Sequence, residues 1–386
     1  MNCPLPVRRA VSPYFMASAP LNAAVPPPPA NLTCTVTKLN PIAFPKGAAP
    51  TCDLTGKPAE YALVTDYQTL NFASRELAKV AWDGILCKIV HVMGKVLAEA
   101  SHVGSEDERE RRLIAVNAGK LALVALCREE AASHVVRGQF ELAIPAAQYA
   151  LRFSTSVYGD GSVELVPAYL LIAEANLGLA RYRQAEEQLT LANWALLKAP
   201  HGSNALRSQL RRNFGRLYAS QSKFAEALRQ LADDVYYSSL MVGPEHIDTS
   251  GGYFQLGNVF YSMNKIENAL AMYDKVVDIW YKCVTQLLSV ESPASLPPLG
   301  DAKGAEGIEV LSHIRKRREE CVGTSNIATG ESNYILGLLY QYLGQLHKAA
   351  EHMRIALAIY ENQLGSDHQS TKDVTLSLMT IEGAAA

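Results

Sequence analysis

Hydrophobic and small residues recur along the middle of the chain with a constant step of forty-two residues. In each copy a large apolar residue is followed three positions later by an alanine. These pairs are Phe140 and Ala143, Tyr182 and Ala185, Phe224 and Ala227, and Ile266 and Ala269. A second small position keeps the same step at Ala131, Ala173, Gly215 and Gly257. Apolar residues three and four apart share one face of a helix, so the pattern predicts pairs of amphipathic helices.

The clearest copy runs from Gly251 to Val276, and its residue order explains the pattern. Small residues at Gly257 and Ala269 allow two helices to approach closely, while the rings of Phe260 and Tyr273 fill the remaining space. This order of large and small residues is typical of the tetratricopeptide helix–turn–helix. Neither helix could bury its apolar face alone, so stacked copies should share one core. A fifth copy, eighty residues further on, carries Leu336, Gly337, Tyr340, Leu346, Ala349, Met353 and Ala356.

These repeats predict an all-α fold, a tetratricopeptide-type α-solenoid, over residues 101–386. The pattern is irregular at residues 291–325, as if a repeat had lost its first helix. There we expect a loop over Glu291–Gly304 and a single helix over Ala305–Cys321 that ends at Gly323. The basic run Arg315–Arg318 should be a solvated helix end that complements the helix dipole. A last helix, Ser370–Ile381, should cap the array.

The first fifty residues have a different composition. Residues 1–50 hold eleven of the nineteen prolines, and no Asp or Glu occurs before Asp53. Proline removes backbone donors and blocks helices. We therefore expect a disordered, Pro-rich and Ala-rich N-terminal arm with polyproline-like conformation.

Residues 51–100 form a separate segment with a possible metal-site layout. The positions of Cys52, Trp82 and Cys87 resemble a MYND-type zinc finger whose metal ligands have mostly gone. A structural zinc site needs four thiolate or imidazole ligands, so we expect no bound metal. The rest of the segment predicts a helix over Leu70–Leu97. Two interpretations stay open: a degenerate MYND-like remnant packed on the first repeat, or an unrelated helical cap.

Composition narrows the range of functions. The chain has 386 residues, 48% of them hydrophobic, and a formal net charge of −2, so we expect neither nucleic acid nor a membrane as a partner. No apolar run reaches the length of about eighteen residues that a bilayer span needs. The seven cysteines are scattered without a CxxC pair, which fits a reducing compartment. The chain has no HExxH, no GxSxG and no phosphate-binding glycine loop, so we expect a non-enzymatic protein without cofactors.

The candidate protein-binding groove lies on the first helices of the third and fourth copies. It comprises Arg207, Arg211, Arg212, Arg216, Gln255, Asn258 and Tyr261. Clustered arginines can hold an acidic extended or helical segment through charge-assisted, bidentate hydrogen bonds. Alternatively, these arginines are only solvated or pair with neighbouring acids. On the binding interpretation, Arg212→Glu and Arg216→Glu should abolish binding without unfolding the protein.

Two stretches, Gly161–Lys198 and Asp248–Leu270, resemble the axonemal family that carries an N-terminal MYND finger followed by tetratricopeptide repeats. That resemblance implies an adaptor that helps dock or stabilise an inner dynein arm on doublet microtubules of motile cilia and flagella. The implied partners are an axonemal dynein heavy chain and a second tetratricopeptide protein, in the axoneme with a cytoplasmic pool. Only Cys52 matches a ligand position of the finger, so zinc binding does not carry over.

A second functional hypothesis is a cytoplasmic tetratricopeptide adaptor that binds an acidic peptide of a cargo or signalling partner. The forty-two-residue step and the Gly-x-x-His connections, such as Gly243 to His246, are similar to those of kinesin light chain. Such an adaptor would depend on a short motif captured in the groove.

Overall fold

The computed structural model describes residues 32–40, 44, 50–100, 105–199, 203–289 and 299–385. The chain divides into two compact units, Met1–Cys127 and Arg128–Ala386. Residues 1–31, and with them most of the predicted Pro-rich arm, lie outside the described residues. The expectation of a disordered arm there stays a prediction.

A three-stranded antiparallel sheet opens the first unit. Its strands are β1 (Cys34–Lys38), β2 (Tyr61–Thr65) and β3 (Thr69–Phe72), in the order β1-β2-β3. Leu70 and Phe72 of β3 are buried while Asn71 between them is less so, which is the alternation that a pleated strand requires. The hairpin between β2 and β3 is closed by Thr65, whose hydroxyl donates to the Gln68 carbonyl over 2.7 Å.

Two sequence predictions are wrong in this unit. The arm over residues 1–50 was expected to lack structure, but Cys34–Lys38 forms β1, because its β-branched Thr and Val residues pair along β2. The predicted helix Leu70–Leu97 is wrong over Leu70–Phe72, which pairs with β2 instead. The helix starts only after Ser74, whose hydroxyl caps it by accepting from the Leu77 amide over 3.1 Å.

The helices of the first unit follow the sheet directly. They are α1 (Arg75–Ala81), a π-helical turn (Trp82–Leu86) and α2 (Cys87–Ala100), followed by α3 (Glu106–Val136), within which the two units divide. Cys52 is buried, and its amide donates to the Lys57 carbonyl over 2.7 Å. Among the described residues, no three His, Cys, Asp or Glu side chains are grouped so that they could hold a metal ion. Since β2 and β3 lie in residues 51–100, that segment is not a purely helical cap, and the MYND-like remnant stays a prediction.

The second unit is built from helical hairpins. Its helices are α4 (Phe140–Tyr158), α5 (Val166–Gly178), α6 (Tyr182–Lys198), α7 (Asn204–Ser220), α8 (Phe224–Val242), α9 (Ile247–Ser262), α10 (Ile266–Leu288), α11 (Asp301–Val322), α12 (Ile327–Tyr342), α13 (Leu346–Leu364) and α14 (Gln369–Ala385). Helices α5 and α6, α7 and α8, α9 and α10, and α12 and α13 pack in pairs. The apolar residues that mark the repeat are the first residues of α4, α6, α8, α10 and α13. The predicted helical repeat is therefore confirmed.

A left-handed residue ends each first helix two positions before the second helix begins. These residues are Gly138, Ala180, Ser222, Asn264 and Gly344, with φ between 54° and 74°. The turn lets the next amide reach back to the end of the first helix. In the fourth copy, for example, the Lys265 amide donates to the Phe260 carbonyl over 2.9 Å. This turn sets the short connection inside each hairpin.

The small positions of the repeat are contact points between paired helices. The three glycines among them face a large side chain sixteen residues later: Gly215 faces Leu231, Gly257 faces Tyr273, and Gly337 faces Met353. A Cβ at Gly257 would lie only 2.6 Å from Cε1 of the Tyr273 ring. Glycine is thus required by the close approach of the helices, because any side chain would displace the partner.

The irregular segment contains the single helix α11, as predicted, and Gly323 ends it with φ of 96°. The helix begins at Asp301, so the predicted loop Glu291–Gly304 is wrong over its last four residues, while 291–298 lie outside the described residues. Gly307 allows α11 to pack on α10, because a Cβ there would enter the Trp280 ring. The predicted last helix is confirmed as α14.

Three connections after second helices share one hydrogen bond. The hydroxyl of a threonine at the start of the next helix donates to the carbonyl of the glycine six residues earlier, over 2.8 or 2.9 Å. The pairs are Thr249 with Gly243, Thr329 with Gly323, and Thr371 with Gly365. Because α11 ends in the same connection as α8 and α13, it occupies the place of a second helix of a repeat. In the described ranges, no helix has both the length and the apolar character needed to cross a bilayer.

The contact at Gly257 predicts a stability change. Gly257→Ala should lower the free energy of unfolding by about 1–2 kcal/mol, because the cost of overpacking against Tyr273 exceeds the gain in helix propensity. Gly383→Ala is the matched control, since that glycine is also helical and has nothing within 4 Å of its Cβ position. Urea denaturation checks both variants. If Gly257→Ala stabilised the protein as much as Gly383→Ala does, the close contact between Gly257 and Tyr273 would be wrong.

Candidate protein-binding surface

The four arginines of the predicted groove lie on helix α7. Ser203 caps this helix by accepting from the Ala205 amide over 3.2 Å. Residues four apart lie one above the other on a helix, so Arg207 and Arg211 form one row and Arg212 and Arg216 a second. Every one of the four has a partner within the chain, and these partners differ in kind.

Arg212 forms a bidentate ion pair with Asp234 of α8. Its Nε and Nη2 lie 2.8 and 3.3 Å from the two carboxylate oxygens, and Asp234 is completely buried. The Ser208 hydroxyl donates to the same carboxylate over 2.5 Å, and Nη2 of Arg212 also donates to the Asp248 carbonyl over 3.2 Å. Burial disfavours the charged guanidinium, but Asp234, together with Glu306 and Glu174, opposes this effect, and the pKa of Arg212 is raised. Arg212 therefore ties α7, α8 and α9 together.

Two adjacent glycines of α9 make room for this ion pair. A Cβ at Gly251 would lie 2.7 Å from Nη1 of Arg212, and one at Gly252 would lie 2.9 Å from Oδ2 of Asp234. The Gly-Gly pair at the start of the clearest sequence repeat thus serves the contact between neighbouring hairpins.

The other three arginines have more exposed partners. Nη1 of Arg216 lies 2.7 Å from Oε1 of Glu174 on α5, and both side chains are about one-third exposed. Arg211 donates to the amide oxygen of Gln230 over 2.9 Å. The guanidinium of Arg207 lies 5.9 Å from the centre of the Tyr237 ring. These contacts match the alternative in which the arginines pair with neighbours.

The predicted residues Gln255, Asn258 and Tyr261 lie in the second half of α9. The amide oxygen of Asn258 accepts from the Tyr273 hydroxyl over 2.9 Å. The Tyr261 hydroxyl donates to Glu320 over 3.0 Å, and the Arg317 guanidinium lies 4.2 Å above the Tyr261 ring. Tyr261 is therefore part of a contact between α9 and α11.

A cavity of about 310 Å³ between α7 and α9 brings together part of the predicted groove. Arg216, Gln255 and Asn258 line it, with Ser220 and Ser262. The other four predicted residues do not line it. The structure thus places a compact polar site of three predicted residues where the sequence suggested a longer basic groove.

Sequence reasoning missed two features of this unit. The basic run Arg315–Arg318 was expected to be solvated, but Arg318 is completely buried and donates to the Ala328 carbonyl over 2.6 Å and to the Ser332 hydroxyl over 2.9 Å. It also pairs with Asp274 of α10. Next to this pair lies a second cavity, walled by acidic and tyrosine side chains. Acids four residues apart on α10 were the only sequence signal for it.

The ion pairs predict different outcomes for two arginines. Arg212→Gln should lower the free energy of unfolding by about 3–5 kcal/mol, because it leaves the buried Asp234 carboxylate without its cation. Arg216→Gln should cost less than about 1 kcal/mol, because its pair with Glu174 is exposed to water. We therefore expect Arg212→Glu to destabilise the fold as well, contrary to the sequence prediction that it abolishes binding without unfolding. Urea denaturation of both proteins tests this, and equal costs would contradict it.

Matches to family models support the helical repeat. Tetratricopeptide repeat models match residues 335–370 and 250–279. The clustered mitochondria protein homolog of Homo sapiens is 20% identical over 166 residues, which is 42% of this chain but only 13% of that protein. BtubC (BKLC) from P. vanneervenii is a similar solved structure, with 16% sequence identity and a TM-score of 0.40, covering 76% of this chain and 94% of that chain. Another is the structure of nearly identical TPR-like repeats of a candidate kinesin light chain from Podosopora anserina. It has 20% sequence identity and a TM-score of 0.29, covering 51% of this chain and 95% of that chain. Tetratricopeptide repeats point to a protein–protein interaction scaffold or adaptor.

Proposed function

We propose that this protein is a non-enzymatic adaptor that helps dock or stabilise an inner dynein arm on doublet microtubules of motile cilia and flagella. Its partners in this proposal are an axonemal dynein heavy chain and a second tetratricopeptide protein. It resides in the axoneme, with a cytoplasmic pool. The observation that carries the proposal is the family resemblance over Gly161–Lys198 and Asp248–Leu270.

The positions of these two stretches support a role in binding. They cover the hairpin of α5 and α6 and most of α9. Between them in the chain lies α7, whose Arg216 lines the polar cavity with Gln255 and Asn258. The second stretch therefore contributes Gln255 and Asn258 to the cavity, and the first contributes Glu174, which pairs with Arg216.

The ciliary role is tested by where the full-length chain resides. A tagged copy, expressed in cells with motile cilia, should stay with the axoneme after detergent removes the membrane. Cilia that lack the protein should lose density of an inner dynein arm in cryo-electron tomograms. Complete release of the tagged protein by detergent, with all inner arms intact in the deletion, would contradict the proposal.

A specific contact favours the second candidate, a cytoplasmic adaptor for an acidic peptide. Arg216 lines the cavity and pairs with one partly exposed carboxylate, Glu174, while its Nη1 also donates to the Asn213 amide oxygen over 3.4 Å. A carboxylate of an incoming peptide could replace Glu174 and keep the guanidinium paired, so binding would not bury an unpaired charge. Gln255 and Asn258 supply further polar groups for the peptide backbone.

This exchange of partners predicts opposite effects of two neutralising substitutions. Glu174→Gln should strengthen binding of a fluorescein-labelled Glu/Gly peptide by about threefold or more, because it frees Arg216. Arg216→Gln should weaken it by about tenfold. Fluorescence anisotropy measures both.

Glu187→Gln is the matched control, because Glu187 belongs to an exposed ion pair with Arg183 on α6 and does not line the cavity. If Glu187→Gln strengthened binding as much as Glu174→Gln, general charge attraction would explain the result and the site would be wrong. This assay is independent of the ciliary location.

A further inference from the structure

A second cavity, of about 300 Å³, lies among α10, α12, α13 and α14. Its chemistry is opposite to that of the cavity beside Arg216. Carboxylates from three helices face it: Asp274 and Asp278 from α10, Glu331 from α12 and Asp373 from α14. These acids come from positions up to about a hundred residues apart in the chain, so only the packing of the helices brings them together.

The acids outnumber the cations at this cavity. In the part of the chain that the structure describes, the ion pairs here are those of Arg318 with Asp274 and Glu331 and of Lys282 with Asp278. Lys282 also binds Glu245, so its charge is shared between two acids. Asp373 accepts a hydrogen bond from the neutral Gln369 side chain over 2.8 Å. Burial raises the pKa of Glu331, Arg318 opposes this, and Asp274 adds to it. A further cation would lower the repulsion among these groups.

The chain itself shows that these acids fit a guanidinium. The buried Arg318 places one terminal nitrogen against Asp274 and the other 3.6 Å from Glu331. A planar guanidinium can bridge two carboxylates in this way, whereas a lysine ammonium acts as a point charge.

Tyrosine rings complete the walls. The rings of Tyr281 and Tyr334 lie 6.2 Å apart at 43°, and 39% of Tyr281 is exposed. Aromatic faces attract cations within about 6 Å, and guanidinium groups stack on them. The cavity therefore offers both carboxylates and ring faces to one cationic side chain.

Tyr360 adds a polar group to the wall of the same cavity. Only 4% of the residue is exposed, it lines the cavity, and its hydroxyl makes no hydrogen bond within the described residues. The hydroxyl can therefore form a hydrogen bond with a group that enters the cavity. Burial raises the pKa of Tyr360, and the nearby Glu331 adds to this effect, so the hydroxyl stays neutral beside the acids and can accept a hydrogen bond.

We propose that this cavity binds an arginine side chain from a basic segment of a protein partner. The guanidinium lies between Asp373 and Glu331, stacks on Tyr281 and donates to the Tyr360 hydroxyl. The site is separate from the cavity beside Arg216 and does not depend on the ciliary role. With this site, the repeat array would bind a basic segment here, in addition to the acidic peptide proposed for the cavity beside Arg216.

A set of matched peptides tests the proposal on the full chain. The probe is a fluorescein-labelled Gly-Arg repeat peptide, compared with peptides in which lysine or citrulline replaces every arginine. Citrulline keeps the shape of arginine but has no charge. Anisotropy should show binding of the arginine peptide, about fivefold weaker binding of the lysine peptide and none of the citrulline peptide. Equal binding of the arginine peptide and either of the other two would overturn the assignment.

Two substitutions test the location. Asp373→Asn should weaken binding of the arginine peptide by about tenfold, while Asp367→Asn should leave it within about twofold. Asp367 is an exposed acid that does not line the cavity, so both variants change the net charge equally. Asp373 has no ion pair in the described residues, so its change should leave the thermal midpoint of unfolding unaltered. Equal weakening by both variants would show non-specific charge attraction and overturn the proposal.

Discussion

The second unit depends on one repeated contact, in which a small residue of a first helix lies against a large side chain sixteen residues later on the second. At Gly215 the partner is Leu231, and at Gly257 it is Tyr273. Interiors are packed as densely as organic crystals, so this contact sets the distance between the two helices within a few tenths of an ångström. Each hairpin in turn packs on the next, because repeats share their stability with their neighbours. Since each hairpin repeats the same helix contact and the same turn, equivalent residues recur at a constant spacing in the sequence.

Buried ion pairs fix the relative positions of the packed helices. Apolar contacts alone tolerate sliding, but Arg212 must meet both oxygens of Asp234, and Gly251 and Gly252 must leave space for them. Arg318 does the same for α11, which it joins to Asp274 of α10 and to α12. Buried charges are costly unless they are fully paired, so each of these sites favours one arrangement of neighbouring helices. The residues that looked most like a binding groove are in part the ties that hold the hairpins together.

The repeat could be predicted because its signal is local. Apolar spacing acts over a few residues, so positions such as Phe224 and Ile266 could be assigned to the helices of the repeat from the sequence. The partners of the arginines could not, since Asp234 lies twenty-two residues from Arg212 and Glu174 forty-two from Arg216. Strand β1 was missed for the same reason. Its stability comes from pairing with β2, and a long connection separates the two strands in the sequence. The acidic cavity was beyond prediction as well, because four helices build it. Long-range polar contacts thus decide which predicted residues remain free to bind.

The contact between Gly215 and Leu231 tests the central claim most directly. In a double-mutant cycle, the free energies of unfolding of Gly215→Ala, Leu231→Ala and the double variant are compared with that of the unchanged protein. If the two residues touch, the smaller side chain at 231 should accommodate the added methyl group, and the double variant should be more stable than the sum of the single changes by about 1 kcal/mol or more. Additivity within about 0.5 kcal/mol would show that the helices do not meet at these positions and would contradict the account.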